Sequence, residues 1–169
     1  TYRSCNISRG TKMKAHSMSL ELRIDWSEID LFGHVNNVAI FKYIQAARVN
    51  YLESIGLMQL QAETKNGPIL ASTNCQFRKP LFYPGQVKIY SKVDTIKNTS
   101  FRIQHEIYND DNQLSAEAQD IIVFFDFNNE TKLIIPNEIR QKIETLENKK
   151  FSEANISSEE NAKNPTALR

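Results

Sequence analysis

The sequence predicts an α+β domain in which an antiparallel β-sheet wraps around one long α-helix. Three observations lead to this fold class. Residues 38–55 contain neither Gly nor Pro and carry apolar side chains at helical spacing. One segment of alternating polar and apolar residues comes before this run, and four or five strand-like segments follow it. Most of the strand-like segments after the helix are separated only by short turns. We therefore expect antiparallel strands and not βαβ units.

The length and charge of the chain limit the classes of function. Its 169 residues are enough for one domain that needs no disulfide or metal. The formal net charge of +1 offers no global attraction for nucleic acid or an anionic membrane. Cys5 and Cys75 are far apart and the three histidines are scattered, so we expect no disulfide framework and no metal site. The longest apolar run, residues 121–125, is too short to span a bilayer, and a cytoplasmic protein is the simplest expectation.

The first predicted strand leads into a polar loop. Before it, residues 1–17 show no periodicity and are expected to form a flexible N-terminal extension. The strand alternates polar residues with four apolar ones, namely Leu20, Leu22, Ile24 and Trp26. It is followed by residues 30–37, with the sequence Asp-Leu-Phe-Gly-His-Val-Asn-Asn. In this loop, Gly33 is expected to allow a backbone angle or a close approach that a side chain would prevent.

The long helix is expected to begin directly after this loop. Asn36 or Asn37 can be its N-cap, because an Asn side chain accepts a hydrogen bond from a free N–H of the first turn. Gly56 supplies a C-terminal stop. Most of the helix surface is apolar, which predicts that the helix is largely buried. Arg48 falls on the apolar side and therefore needs a charged partner or a neighbouring subunit. The candidate carboxylates are Asp25, Glu28 and Asp30.

The rest of the domain is predicted to consist mainly of strands joined by turns. Residues 59–66 are polar and are interpreted as a connection. Strands are predicted over residues 69–77, 87–96, 101–107 and 114–127, with a further short strand at 132–135. A C-terminal helix from Pro136 to residue 147 completes the domain, which spans residues 18–147. Residues 148–169 are polar and are expected to form a mobile tail.

Asp30 is the strongest candidate for chemistry. A carboxylate just before a helix N-terminus lies beside free backbone N–H groups, which can polarise a carbonyl and stabilise a developing oxyanion. The carboxylate can then attack directly or deprotonate a water molecule. The alternative is an Asp that only caps or stabilises a turn. His34 either contacts the Asp30 carboxylate or bonds the loop backbone. Glu28 is expected to be solvated or to support Asp30, and His105 is interpreted as an ordinary strand residue.

Two groups of residues resemble a known family. The motif Asp-x-x-Gly-His-Val-Asn-Asn at residues 30–37, followed by Ala-Arg at 47–48, resembles the hotdog-fold acyl-CoA thioesterases of the 4-hydroxybenzoyl-CoA thioesterase type. Phe-Arg-Lys-Pro at residues 77–80 and Tyr-Pro-Gly at 83–85 support the resemblance. It covers residues 20–146 and implies a hotdog fold with a short C-terminal helix. It also implies a homo-oligomer, either a dimer or a dimer of dimers.

The resemblance also implies roles for individual residues. Asp30 matches the catalytic Asp, and the backbone N–H of Asn37 matches the group that binds the thioester carbonyl. His34 completes the predicted catalytic set. Six further residues are predicted to contact the substrate: Gly33, Asn36, Tyr43, Thr73, Arg78 and Lys79. The two basic residues of this set would meet the phosphates of coenzyme A. The resemblance implies no cofactor and no metal, because coenzyme A is part of the substrate.

The predicted function is hydrolysis of an acyl-CoA or acyl-carrier-protein thioester to the free acid and thiol. Two departures from the family pattern keep alternatives open: Ile40 lies where relatives often carry Tyr, and residues 69–77 contain no acid. One alternative is a hydratase or dehydratase on the same fold, although the spacing from Asp30 to His34 differs from that of those enzymes. The other alternative is a non-catalytic subunit that binds an acyl thioester without turnover.

Overall fold

The structure, a computed structural model, describes residues 17–152. Nearly all of the predicted N-terminal extension and most of the predicted tail lie outside the described residues. The elements in chain order are β1 (Met18–Arg23), a short 3₁₀ helix (Trp26–Glu28), α1 (Asn37–Ser54), α2 (Leu57–Thr64), β2 (Asn66–Phe77), β3 (Gln86–Ile96), β4 (Ser100–Tyr108), β5 (Leu114–Asp126), β6 (Thr131–Lys132) and α3 (Asn137–Glu147).

The strands form one antiparallel sheet in the order β1-β3-β4-β5-β2, with β6 paired to the end of β5. This arrangement confirms the antiparallel sheet predicted from the turn signals. The pairing register shifts between residues 70 and 72 of β2, between 93 and 95 of β3, and between 107 and 108 of β4. Such irregularities increase the local twist, and the sheet curls as a result. Within residues 17–152, β2 pairs on one side only.

Helix α1 lies against one face of this sheet. Its N-cap is Asn36, whose side chain accepts a 2.9 Å hydrogen bond from the Val38 N–H. Of the two candidate caps, Asn36 is therefore the one used. The helix ends at Ser54, and Gly56 turns the chain with a φ of +75°. The core between α1 and the sheet is apolar and includes Ile40, Ile44, Ala47, Val87, Ile89, Ile107, Ala116 and Ala118.

A second helix, α2, occupies most of the segment that was predicted to be a polar connection, residues 59–66. Leu57 at its start is completely buried, while most of the following residues are partly or fully exposed. A helix of eight residues covers little more than two turns, which is too short for a clear helical period in the sequence. The helix packs closely on β2. A Cβ at Gly67 would lie 2.3 Å from the Cβ of Gln61, so only glycine fits at this contact.

Several element boundaries differ from the predictions by a few residues. β1 ends at Arg23 and does not extend to residue 26, because Asp25 caps the 3₁₀ helix by accepting a 2.8 Å hydrogen bond from the Ser27 N–H. β2 begins at residue 66 and not at 69, and the predicted strand at 132–135 is reduced to Thr131–Lys132. Among the described helices, none is long and apolar enough to cross a membrane.

Arg48 finds its partner across the core and not in the polar loop. Its Nη1 donates a 2.7 Å hydrogen bond to Asp120 on β5. Asp120 is completely buried, and its Oδ2 also lies 3.1 Å from His105 Nε2. The other ring nitrogen of His105 lies 2.8 Å from Ser91 Oγ. His105 is therefore part of a buried polar network and is not an ordinary strand residue. The three partners predicted for the arginine are wrong: Asp25, Glu28 and Asp30.

Candidate active site

Two of the predicted catalytic residues, Asp30 and His34, lie in a closed loop between the 3₁₀ helix and α1. The third, Asn37, is the first residue of α1. Ile29 and Val35 form an isolated antiparallel bridge that brings the two ends of the loop together. Inside the bridge, the Asp30 N–H donates to the His34 carbonyl at 2.8 Å, and the Gly33 N–H donates to the Asp30 carbonyl at 3.1 Å. The backbone of residues 30–34 is therefore held as a tight turn by its own hydrogen bonds.

The Asp30 carboxylate is fixed by one of its two oxygens. Oδ1 accepts hydrogen bonds from the Phe32 N–H at 2.9 Å and from the His34 N–H at 3.2 Å. Bonds from an Asp side chain to the following backbone restrict its rotation. Among the described residues, none donates to Oδ2 of Asp30. This oxygen is thus oriented by the loop and remains available to a substrate or a water molecule.

Gly33 supplies the backbone angle that closes the loop. Its φ is +78°, and an added Cβ would meet no atom within 4 Å, so the requirement is conformational and not steric. We expect Gly33→Ala to lower the free energy of unfolding by about 1–2 kcal/mol. Gly33→Asn is the matched control, because Asn adopts left-handed angles more readily, and it should lose clearly less stability. Urea unfolding of the two variants tests this, and equal losses would contradict it.

The first turn of α1 presents a free backbone N–H to the same region. The Val38 N–H is taken up by the Asn36 side chain, and the Ile40 N–H bonds to the Asn36 carbonyl at 3.2 Å. The Asn37 N–H has no acceptor within the part of the chain that the structure describes. An unpaired N–H at a helix N-terminus carries partial positive charge, and it favours a negative or strongly polarised oxygen.

A pocket of about 390 Å³ joins the loop, the start of α1 and the segment after β2. The Val35 N–H donates to the Leu81 carbonyl at 2.9 Å, which holds this segment against the loop. Five of the predicted site residues line the pocket: Asp30, His34, Asn37, Arg78 and Lys79. The lining residues that were not predicted as site residues are Val35, Ile40, Phe77, Pro80 and Leu81. They are apolar, and no local pattern separates such residues from ordinary core positions.

Four predicted site residues do not line this pocket: Gly33, Asn36, Tyr43 and Thr73. Gly33 and Asn36 shape the loop and the helix cap beside it. Tyr43 is buried, and its hydroxyl donates to the carboxylate of Glu28. Burial, together with this hydrogen bond, raises the pKa of the Tyr43 phenol above its ordinary value. Thr73 lies opposite Asp120 in the pairing of β2 with β5, and its side chain helps to hold the pKa of that carboxyl below its ordinary value.

His34 is tied to Asp30 through its backbone. Within the described residues, no hydrogen bond joins its imidazole to the Asp30 carboxylate, since the bonds between these two residues use the His34 N–H and carbonyl. Its ring lies edge-on to Phe82, with centroids 5.2 Å apart. His34 is also among the residues that line the pocket. In residues 17–152, no group of three or more His, Cys, Asp and Glu side chains has the geometry to hold a metal ion.

Two cations lie at the rim of the pocket. Arg78 forms a 2.8 Å ion pair with Glu117, and both side chains are about half exposed. Lys79 donates to Gln113 at 3.2 Å, and no carboxylate pairs with it among the described residues. The N–H groups of both residues bond to the Ser115 carbonyl, at 2.8 and 3.1 Å. Lys79 is therefore the cation at this rim whose charge is not neutralised locally.

Comparisons with known proteins show the family of this chain. The family model of the thioesterase-like superfamily matches residues 24–143. The chain is 26% identical over 85 residues to YsmA of Bacillus subtilis, an uncharacterized protein, and this match spans 50% of the chain and 56% of YsmA. It is 22% identical over 130 residues to the long-chain acyl-CoA thioesterase FadM of Escherichia coli. This second match spans 76% of the chain and 98% of FadM.

Solved structures show the same fold. A thioesterase from Thermus thermophilus, complexed with coenzyme A and Zn, superposes with a TM-score of 0.73 at 19% identity. The superposition covers 82% of this chain and 100% of the Thermus chain. The curled antiparallel sheet with its helices fits the predicted hotdog fold, and the family match confirms the resemblance seen in the motif at residues 30–37. This chain therefore belongs to the thioesterase-like superfamily, a family of thioester hydrolases.

Proposed function

We propose that this protein hydrolyses an acyl-CoA thioester to the free acid and coenzyme A, with Asp30 as nucleophile or general base. The observation that carries the proposal is a single pocket lined by both Asp30 and Asn37, where a carboxylate oxygen and a helix N-terminal N–H are each without a partner among the described residues. Similarity to FadM supports a coenzyme A thioester as the substrate class. Superfamily membership supports thioester hydrolysis.

The thioester carbonyl would accept a hydrogen bond from the Asn37 N–H. As the carbonyl carbon becomes tetrahedral, negative charge develops on its oxygen. A backbone donor that is already oriented at a helix N-terminus stabilises that charge without reorganisation. The Asn36 cap supports this role, because it removes the neighbouring Val38 N–H from competition and fixes the first turn of α1.

Asp30 would supply the attacking group by one of two routes. In the first, its free oxygen attacks the carbonyl carbon, the C–S bond breaks, and water then hydrolyses the resulting anhydride. In the second, it takes a proton from a water molecule whose oxygen attacks, and the proton passes to the departing thiolate as the C–S bond breaks. The fixed Oδ1 suits both routes, because it leaves Oδ2 oriented and unpaired.

The remaining lining residues would bind the two ends of the substrate. Lys79, and Arg78 beside it, are suited to the phosphates of coenzyme A, since charge-assisted bonds to phosphate are strong. The apolar lining from Ile40, Phe77 and Leu81 suits the acyl or aryl group next to the thioester. An acyl-carrier-protein thioester would present the same reacting group, and it is the alternative substrate.

We also propose a cytoplasmic homo-oligomer of hotdog subunits, each with α1 as its central helix. The open edge of β2 supports this proposal, because exposed apolar side chains accompany it: Ile69, Leu70 and Phe77. A second copy that pairs along β2 would cover these side chains and the free edge. Since Phe77 also lines the pocket, the subunit boundary would then border the active site.

The experiment that tests the proposal is thiol release from short, medium, long and aromatic acyl-CoAs by the purified protein. We expect turnover of at least one class of acyl-CoA. The acyl-CoA with the fastest turnover shows which size of acyl group the pocket accepts. An enoyl-CoA that loses its conjugated absorbance without thiol release would indicate a hydratase instead. Binding of coenzyme A thioesters by well-folded protein, with no turnover of any of them, would overturn the proposal in favour of a binding subunit.

A further inference from the structure

A partly buried hydrogen bond joins the segment before the Asp30 loop to the second turn of α1. The Tyr43 hydroxyl donates to Oε2 of Glu28, and Tyr43 is only 4% exposed. We propose that Glu28 and Tyr43 are a positioning pair, which sets the orientation of the Asp30 carboxylate relative to the N-terminus of α1. This inference rests on the proposed function, because it concerns the geometry of the same site.

Glu28 bonds three parts of the site at once. Its Oε2 accepts from the Asp25 N–H at 3.2 Å as well as from Tyr43, and its own N–H donates to the Asp25 carbonyl at 3.1 Å. Its backbone carbonyl accepts from the Asn36 N–H at 2.8 Å. Glu28 therefore connects the start of the 3₁₀ helix, the N-cap of α1 and a side chain within α1. No other residue of the segment leading to Asp30 bonds α1 through its side chain, within the part of the chain that is described.

These bonds reach Asp30 because the loop behaves as one unit. Residues 30–34 are closed by their own backbone bonds, and Asp30 comes only two residues after Glu28. A shift of Glu28 relative to α1 would therefore carry the carboxylate with it. Tyr43 is a stiff attachment point, because its ring is buried in the core and its backbone belongs to a regular helix. A hydrogen bond to an ionised carboxylate is also among the stronger ones in proteins.

Burial of Tyr43 argues against the alternative, a direct contact with substrate. Its side chain does not line the pocket, and its hydroxyl already has an acceptor. The raised pKa of the phenol keeps the hydroxyl protonated, and therefore a donor, at every pH at which the protein would be assayed. The geometry thus gives Tyr43 a constant structural bond whose effect on chemistry passes through Glu28.

Tyr43→Phe tests the pair, and α1 offers a matched control. Tyr51 is also fully buried in α1 and also donates to a glutamate, Glu147, at 2.6 Å, while the Val93 N–H donates to the same oxygen at 2.7 Å. Tyr51→Phe therefore removes an equivalent hydroxyl from the same helix, near its C-terminal end and far along the chain from the Asp30 loop. Thermal unfolding and steady-state kinetics would be measured on both variants, well below their melting temperatures.

We expect Tyr43→Phe to lower kcat by about 10- to 100-fold with KM nearly unchanged, because small misplacements of a reacting group reduce rate more than binding. Tyr51→Phe should lower the melting temperature to a similar extent and keep the parent kcat. Glu28→Gln should recover most of the rate that Glu28→Ala loses, since Gln still accepts from Tyr43. Tyr43→Phe combined with Glu28→Ala should lose little more than either change alone.

Amide hydrogen exchange separates this inference from the proposed function. We expect faster exchange of the Asn36 and Asp30 amides in Tyr43→Phe than in Tyr51→Phe, whether or not the protein turns over a thioester. If the parent hydrolyses acyl-CoA and Tyr43→Phe keeps its full kcat, the positioning role is overturned and the proposed function stands. If the parent shows no hydrolysis, the proposed function fails, and unchanged amide exchange in Tyr43→Phe would overturn the positioning role independently.

Discussion

Asp30→Asn should reduce the rate of thioester hydrolysis by about 10²- to 10⁴-fold while the fold is retained, as is usual when a general base or nucleophile is removed. The substitution changes one oxygen to nitrogen. An Asn carbonyl in place of Oδ1 can still accept from the Phe32 and His34 N–H groups, so the loop should keep its conformation. The substitution removes the negative charge and places an amide NH₂ where Oδ2 was. An amide neither attacks a carbonyl carbon nor takes a proton from water.

Asp126→Asn is the matched control for this prediction. Asp126 also accepts backbone hydrogen bonds through one oxygen, from the Asn128 N–H at 2.8 Å and the Asn129 N–H at 3.0 Å. It ends β5 and does not line the pocket. The control should keep the parent rate. Thiol release, circular dichroism and the oligomeric state would be measured for all three proteins. Full activity of Asp30→Asn would exclude Asp30 as nucleophile or base.

The sequence predicted those parts of the molecule that depend on local spacing. Helix α1 and the strands β3 and β4 follow from periodicities that span ten residues or so. Strand β5 follows from a long run that is dense in apolar and β-branched residues. The turn at residues 30–34 is similar, because the hydrogen bonds of these five residues lie within the turn and the motif itself is local. Helix α2 was missed because it is only eight residues long and half of its residues are polar. It also forms against β2, where Gly67 permits a contact that spacing along the chain does not reveal.

Contacts between distant residues could not be predicted from local pattern. The need of Arg48 for a carboxylate was evident, but the partner is Asp120, on a strand whose register is set by the whole sheet. The same register places His105 beside Asp120 and Thr73 opposite it.

Arg48→Met should be the most destabilising single substitution considered for this protein, at about 3–5 kcal/mol near neutral pH, because it leaves a buried carboxylate without its charge partner. Asp120 is completely buried, and its Oδ1 already has no hydrogen-bond partner among the described residues. Removing Arg48 takes away the 2.7 Å bond to Oδ2. His105 and Thr73 would remain as donors, and neither is a permanently charged group.

Arg102→Met is the matched control, because Arg102 pairs with Asp94 at 2.8 Å while both side chains remain partly exposed. Exposed ion pairs contribute roughly 0–1 kcal/mol, so this variant should unfold at nearly the parent urea concentration. A second variant, Arg48→Met with Asp120→Asn, should be more stable than Arg48→Met alone, since no uncompensated charge is then buried. Equal losses for Arg48→Met and Arg102→Met would contradict the special role of the buried pair.

The loss of unfolding free energy in Arg48→Met should depend on pH with a definite sign. In the parent, burial would raise the pKa of Asp120, but hydrogen bonds from His105, Thr73 and Arg48 together hold it below its ordinary value. The parent therefore keeps this contribution to stability above the ordinary pKa of a carboxyl group and loses it only as pH falls through the lowered value.

In Arg48→Met, burial should outweigh the remaining donors and raise the pKa of Asp120 above its value in the unfolded chain. As pH falls, protonation of Asp120 then removes the uncompensated buried charge in the variant. The difference in unfolding free energy between parent and variant should therefore shrink from about pH 7 towards about pH 4. A difference that grows over this range would show that the carboxylate of Asp120 is not the source of the instability.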